Sequence, residues 1–568
     1  MPQLGTMRSR GMWCAQAVFV CLVLVYSASS GLAQTMRNPL VEPVEIDWSA
    51  TASEFAIHRE IIETARSKRR LSLFTRVKIA VLKWRFASLR SADLQATINA
   101  LIGERFANVA ASPTPVLLPF DAHRYLADRL SADGATATAV YLNGFTAYKF
   151  FRPGPSGYDA SFNMPADEVA KVIGRATRED VAVTLSGSSL FYVLDDPTPP
   201  AGTIDTRFPE LAFNVRRVVH ERALRFTFMR YGAPYLVSID CRPTTTAGET
   251  ITCDEADKIS ERFLRALRLV GGALPKKTTR MTELITIDRP KCADAEFTYH
   301  KPGDLTPGSS YKNLGGKADY TVYARMAFPV ASPRAYANSQ VFMHGGECLS
   351  DPPLGITAIP PPQNKGDAYH CTQNPTKFLT FFEGAKENFS YPWRDNFCES
   401  RDWPLGQCPG NMGHQGQDVR PDTCYAVSPT SVRCEPYRHR INAVRDGFVQ
   451  RERGREALYL VVNSATEHLR FRYLHMNPAH LDRDGMITGR DLSEGTRIGL
   501  MGTYFDGHEN GTSYHLHFDV QAPTRDGWLY VSPYMTLVAA YERQINRKGT
   551  EIKADGSRGD AEASAKCR

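Results

Sequence analysis

The chain lacks any long run of one charge. Its 68 Lys and Arg stand against 61 Asp and Glu, a formal excess of +7 over 568 residues. The densest basic patch, Arg66-Ser67-Lys68-Arg69-Arg70, has the composition of a solvated helix face, so nothing points to nucleic acid as a partner. No Cys-x-x-Cys spacing occurs, which argues against a thiolate zinc site. Beyond residue 33 no apolar run is long enough to span a bilayer. Internal repeats are absent as well. The length itself excludes a single ordinary core and implies two domains or more.

At the N-terminus, Arg8 and Arg10 precede an apolar run over 15–26, and small residues follow through Ala33. That order marks residues 1–33 as a secretory signal, leaving an exported mature chain with no integral membrane segment after cleavage. Cysteine usage agrees. Of 12 cysteines, Cys14 and Cys21 fall in the signal, leaving an even ten. Several sit at short, loop-like separations: Cys241 and Cys253, Cys348 and Cys371, Cys398 and Cys408, Cys424 and Cys434. Disulfides in an oxidising compartment account for them better than metal does, although spacing does not determine the pairing, nor the oligomeric state.

The expected organisation is multi-domain: an α+β N-terminal domain followed by a mainly antiparallel β C-terminal domain. In 38–285 helical periodicity over 53–70 and 73–106 gives way to strand-like segments at 137–151, 181–194 and 224–240, with helices at 164–178 and 254–270. No chemical motif stands out there, and its role is unassigned. Residues 286–390, interrupted by Pro352-Pro353 and Pro360-Pro361-Pro362, read as a loop-rich β lead-in. From 391 to 545 the pattern is strand, turn, strand, with strands near 458–462, 469–475, 496–501 and 514–520 and no helix until 534–545. Residues 546–568 read as a polar tail.

The chemistry concentrates in that last domain. His414-Gln415-Gly416-Gln417-Asp418 offers an imidazole and a carboxylate, and Tyr514-His515-Leu516-His517-Phe518 offers two histidines on alternate positions of a strand, hence on one face. Two imidazoles and a carboxylate suit a catalytic Zn²⁺ that keeps its fourth position open.

Five blocks in order carry a resemblance: His414 to Asp418, Ala443-Val444-Arg445-Asp446-Gly447-Phe448-Val449, Tyr473-Leu474-His475-Met476, Gly495-Thr496-Arg497-Ile498-Gly499, and His515 to Val520. Ser532-Pro533-Tyr534 follows. The segment resembles the M23 (LytM/lysostaphin-type) zinc metallopeptidases, which cut peptide cross-links of peptidoglycan. The resemblance implies a peptidase domain over 391–545 with His414, Asp418 and His517 as Zn²⁺ ligands and His475 and His515 as non-ligand catalytic histidines. It implies an enzyme acting on peptidoglycan stem peptides; with the secretory signal and no wall-anchoring repeat, the expected compartment is the periplasm. Two other readings stand beside it: a metallopeptidase acting on exported proteins, and a non-catalytic regulator of other wall hydrolases. No motif claims His439, His468, His480 or His508, which read as exposed or loop residues. Asp519 reads as structural, and Arg420 as a salt-bridge partner or a group orienting Asp418. Tyr514 and Ser513 depart from the family pattern beside the expected groove.

Overall fold

The computed structural model describes residues 36–54, most of 96–273, 290, 297–305, 314–331, 335–337, the pieces 371–374 and 377–379, and 393–552 apart from short gaps. The signal segment, most of the two N-terminal helical stretches, and Cys292, Cys348, Cys424, Cys434 and Cys567 lie outside the described residues.

Two antiparallel sheets dominate. The first has seven strands: Thr146–Gly154 (β1), Gly157–Met164 (β2), Val181–Ser188 (β3), Thr203–Ile204 (β4), Arg216–His220 (β5), Ala223–Arg230 (β6) and Ala233–Asp240 (β7), in the order β1-β2-β3-β7-β6-β5-β4. Strand-rich sequence over 224–240 thus folds as a hairpin, turned by Tyr231 and Gly232 at positive φ. Helices Ala166–Ile173 and Cys253–Ala266 accompany this sheet, and Val169, Ile173, Ile259 and Phe263 enter its core with Leu185, Phe226 and Val237. The longer helix starts on a capping box, where Thr252 accepts from the Glu255 N–H and Glu255 accepts from the Thr252 N–H. It ends at Ala266, where the sequence pattern had extended it to 270; Arg268–Gly271 instead pairs as a strand with Val116–Leu118.

The second sheet has eight strands: Ala335–Ala337 (β8), Gln417–Pro421 (β9), Gly447–Gln450 (β10), Leu458–Asn463 (β11), His468–Leu474 (β12), Asp491–Leu492 (β13), Leu516–Thr524 (β14) and Gly527–Val531 (β15). Their order is β8-β9-β14-β12-β11-β10-β13, with β15 paired to β14. Alternation gives each long strand two characters. Leu458, Leu460, Val462, Leu469, Phe471, Tyr473, Leu516, Phe518 and Val520 face one way and join a core closed by helix Tyr534–Ile545, which is found where the periodicity placed it. On the other side β9, β12 and β14 carry Asp418, Arg420, Arg470, Arg472, His517, Asp519 and Gln521. Those side chains are buried too, because the first sheet packs over that side, with β6 and β7 against β15 and β7 also against β14.

Three expectations need correction. A short helix, Pro478–Arg483, precedes the long one, capped by the Asn477 side chain on the Ala479 and His480 N–H groups. The polar tail contributes Thr550–Ile552 as a strand, parallel to Thr298–His300. Part of the lead-in is core, since Tyr320, Tyr323, Ala324, Met326, Phe328 and Val330 pack into the second sheet's cluster.

Candidate metal centre

Register assembles the centre. Asp418 on β9 lies directly opposite His517 on β14, and His517 lies opposite Leu474 on β12. His414 reaches the same point from the loop before β9. That loop is stapled by the Cys398–Cys408 disulfide and tied by Cys398 N–H to the His414 carbonyl and His414 N–H to the Glu399 carbonyl. Gly416 lets the chain pass beneath the imidazole: a Cβ there would sit 2.7 Å from His517 Nε2. His475 follows the end of β12 at φ 72°. That turn breaks strand alternation and brings its ring centroid to 4.5 Å from that of His515.

Three donor atoms face one another. His414 Nε2 is 2.9 Å from His517 Nδ1 and 3.7 Å from Asp418 Oδ1, and His517 Nδ1 is 3.5 Å from Asp418 Oδ1. Donors about 2.0–2.1 Å from a tetrahedral zinc lie roughly 3.3–3.4 Å apart, so the residues fit the ion. Asp418 supports this through its two oxygens. Oδ2 accepts from Asn396 Nδ2 at 2.9 Å, whereas Oδ1, aimed at the histidines, accepts no well-formed hydrogen bond among the described residues.

The surrounding groups orient the donors. His414 Nδ1 donates to the Asn396 carbonyl at 3.0 Å, which leaves Nε2 facing the other two donor atoms and able to hold a metal. His517 uses Nδ1, because Nε2 lies 3.3 Å from Asp519 Oδ2. Asp519 in turn holds Arg472 Nε at 2.5 Å. Asp519, read from sequence as structural, is therefore an orienting group on a metal-facing histidine. Asn396 was not foreseen at all; it bonds His414 through its backbone and Asp418 through its amide, and also accepts the Asp418 N–H.

Electrostatics separates the histidines. Burial pulls His414 down to about 3 and His515 down to about 4, despite the nearby Asp418 carboxylate. Burial also pulls on His517, but the Asp418 and Asp519 carboxylates beside it outweigh that and hold it at about 9. Asp418 is pushed up by burial yet held well below the usual carboxylate range by His515 and His414.

Thus the structure brings together all five histidine and aspartate positions singled out in the sequence, with His515 Nε2 3.2 Å from Asp418 Oδ1. His475 has a partner that no pattern announced: its Nδ1 lies 3.0 Å from the Tyr504 carbonyl and 3.2 Å from Glu456 Oε1. Arg420 donates to the Tyr514 carbonyl. His439 and His468, read as exposed or loop residues, are both buried: His439 in the loop before Arg440, against the Tyr514 hydroxyl, and His468 on β12, against Asp159 of β2. His508 is exposed as expected. A cleft of about 890 Å³ lined by Asp121, His123, Lys258 and Arg262 shares no residue with this centre.

Neither protein-family models nor curated proteins give a match to the sequence. Among solved structures, a protein assigned as the glycyl-glycine endopeptidase lytM of Ruminococcus gnavus matches at 18% identity, over 21% of this chain and 48% of that one, with a TM-score of 0.16. Helicobacter pylori Csd3 matches at 20% identity, over 25% of this chain and 35% of that one, with a TM-score of 0.15. The chain thus spans less than half the length of either, and scores this low carry no weight for fold or activity.

Proposed function

We propose that this chain is an exported zinc metalloendopeptidase that hydrolyses peptide cross-links of peptidoglycan. The observation that carries the reading is the convergence of His414 Nε2, Asp418 Oδ1 and His517 Nδ1 at zinc-ligand spacing, with two further histidines alongside. When bound there, the ion supplies an acidified water and a polarised scissile carbonyl.

The chain's own groups would do the rest. With Nδ1 donating to the Tyr504 carbonyl, His475 presents Nε2 to the reacting atoms and can accept the water proton there. The Glu456 carboxylate behind it steadies the imidazolium so formed, as an acidic residue does behind a catalytic base. His515, kept neutral by burial, stands beside Asp418 to bond the oxygen that gains charge as the amide opens. The substrate class rests on the sequence resemblance, and the export route on the signal pattern and on the Cys241–Cys253 and Cys398–Cys408 disulfides.

The test is muropeptide analysis of purified sacculi incubated with full-length protein. Cross-linked dimers should decrease with wild type and persist with His475→Ala. Unchanged dimers with a zinc-loaded, accessible site would refute the substrate assignment.

A further inference from the structure

Between the two sheets lies a buried cation whose charge no side chain answers. Arg225 on β6 is 4% exposed, and its Nε and Nη2 have no hydrogen-bond partner among the described residues. A guanidinium carries its charge whatever its surroundings, and burying that charge without a counter-ion is costly. Its guanidinium lies over the Tyr530 ring, 4.4 Å from the centroid, a contact that returns only part of the cost. The carboxylates nearby in the seam are engaged elsewhere: Asp519 with Arg472 and Gln521, Asp159 with His468 and Ser186, Glu221 with Gln415.

Three more buried polar groups meet Arg225 around one cavity. Tyr530 on β15, His220 at the end of β5 and Gln407 are 1%, 2% and 7% exposed. The Tyr530 hydroxyl, His220 Nδ1 and both amide atoms of Gln407 also lack a partner among the described residues. The cavity that these four line has about 10 Å³ open to the centre of a water-sized body, which is room for one. Gln407 and Tyr530 also line a neighbouring cavity of about 80 Å³, beside Arg37 and Lys317, which offers a way in. Burial, with Arg225 and Arg472 close by, pulls His220 well below its ordinary range, so it adds an uncharged ring and no second cation. Donors therefore predominate around one fixed positive charge.

We propose that this cavity is a binding site for a single small anion of the chloride class, held by Arg225, Tyr530, Gln407 and His220. Water could accept the same hydrogen bonds but could not offset the buried charge. A carboxylate or phosphate group has more atoms than the cavity accommodates. The ion joins three parts of the fold: β5 and β6 of the first sheet, β15 of the second, and the Cys398–Cys408 loop that carries Gln407 and runs on to His414. The assignment does not depend on the zinc reading.

The experiment uses full-length protein exchanged into sodium gluconate, with sodium chloride replacing gluconate at constant ionic strength. The readouts are the ³⁵Cl nuclear magnetic resonance line width and the urea midpoint. In wild type the line should broaden beyond its value in buffer, bromide should reverse the excess, and the midpoint should rise with chloride and level off as the site fills. Arg225→Met should lose both responses, and in gluconate it should be at least as stable as wild type, because a buried charge is gone. Tyr530→Phe should weaken the response about tenfold, and it keeps the test decisive if Arg225→Met does not fold. Wild type stripped of metal by a chelator should respond as before; loss of the response there would put the anion on the metal and overturn the assignment. If wild type shows no saturable response, or if both variants respond as wild type does, the cavity holds water only and the proposal is wrong.

Discussion

At the scale of single residues, the donor set was legible because metal ligands carry their chemistry in their side-chain type and spacing. The groups that position them were not. Asn396 acts through one amide and one carbonyl, and Glu456 is one acid in the charged stretch Glu452-Arg453-Gly454-Arg455-Glu456, which in sequence resembles any solvated loop. Asn396→Ala should lower zinc affinity about 10- to 100-fold without unfolding the chain, measured by competition with a chelator; unchanged affinity would contradict the orienting role. Glu456→Gln should lower kcat about 100-fold with zinc content intact, as expected of a proton-transfer partner. Asp395, the buried acid that precedes Asn396, gives a pH prediction. Burial pushes Asp395 up to about 7, against backbone N–H groups of Gly303 and Phe397 that favour its charge. Its folded value lies above its unfolded one, so the folded state holds the proton longer and stability falls as pH rises from about 4 to about 7. Chemical denaturation across that range should show a decline of up to a few kcal/mol, flattened in Asp395→Asn; equal slopes would contradict it.

At the scale of elements, patterning found the long strands and the helix Tyr534–Ile545, because one side of each is continuously apolar. It failed where tertiary contacts decided. Residues 254–270 carry one helical stripe, yet the last turn is given up to pair Arg268–Gly271 with Val116–Leu118. The tail gains a strand only because Thr298–His300 offers a parallel edge 250 residues away. The capping box on Cys253–Ala266 is a local device that should be separable from these contacts. Thr252→Ala is expected to cost about 1 kcal/mol in denaturant unfolding, while loss of less than a few tenths would show the cap to be redundant with the Cys241–Cys253 disulfide.

At the scale of the whole molecule, the sequence revealed a site but not its cover. Polar residues alternating along β12 and β14 look solvent-facing when read alone; Arg470, Arg472 and Asp519 are instead fully buried by a sheet that precedes them by roughly three hundred residues. No local signal encodes that packing. Asp159 shows what it requires, since it meets His468, Asn463 and Ser186 in the buried seam. Asp159→Ala should cost about 3–5 kcal/mol and speed limited proteolysis, because it strips a buried histidine and Arg470 of their carboxylate. A neutral result would mean the seam is not held by this network. The most direct measurement of all is zinc bound per chain, by plasma mass spectrometry, in full-length wild type and His517→Ala. The expected result is about one zinc in wild type and essentially none in the variant. A zinc-free wild type, or a variant that keeps its full complement, would contradict the metal centre on which the peptidase reading stands.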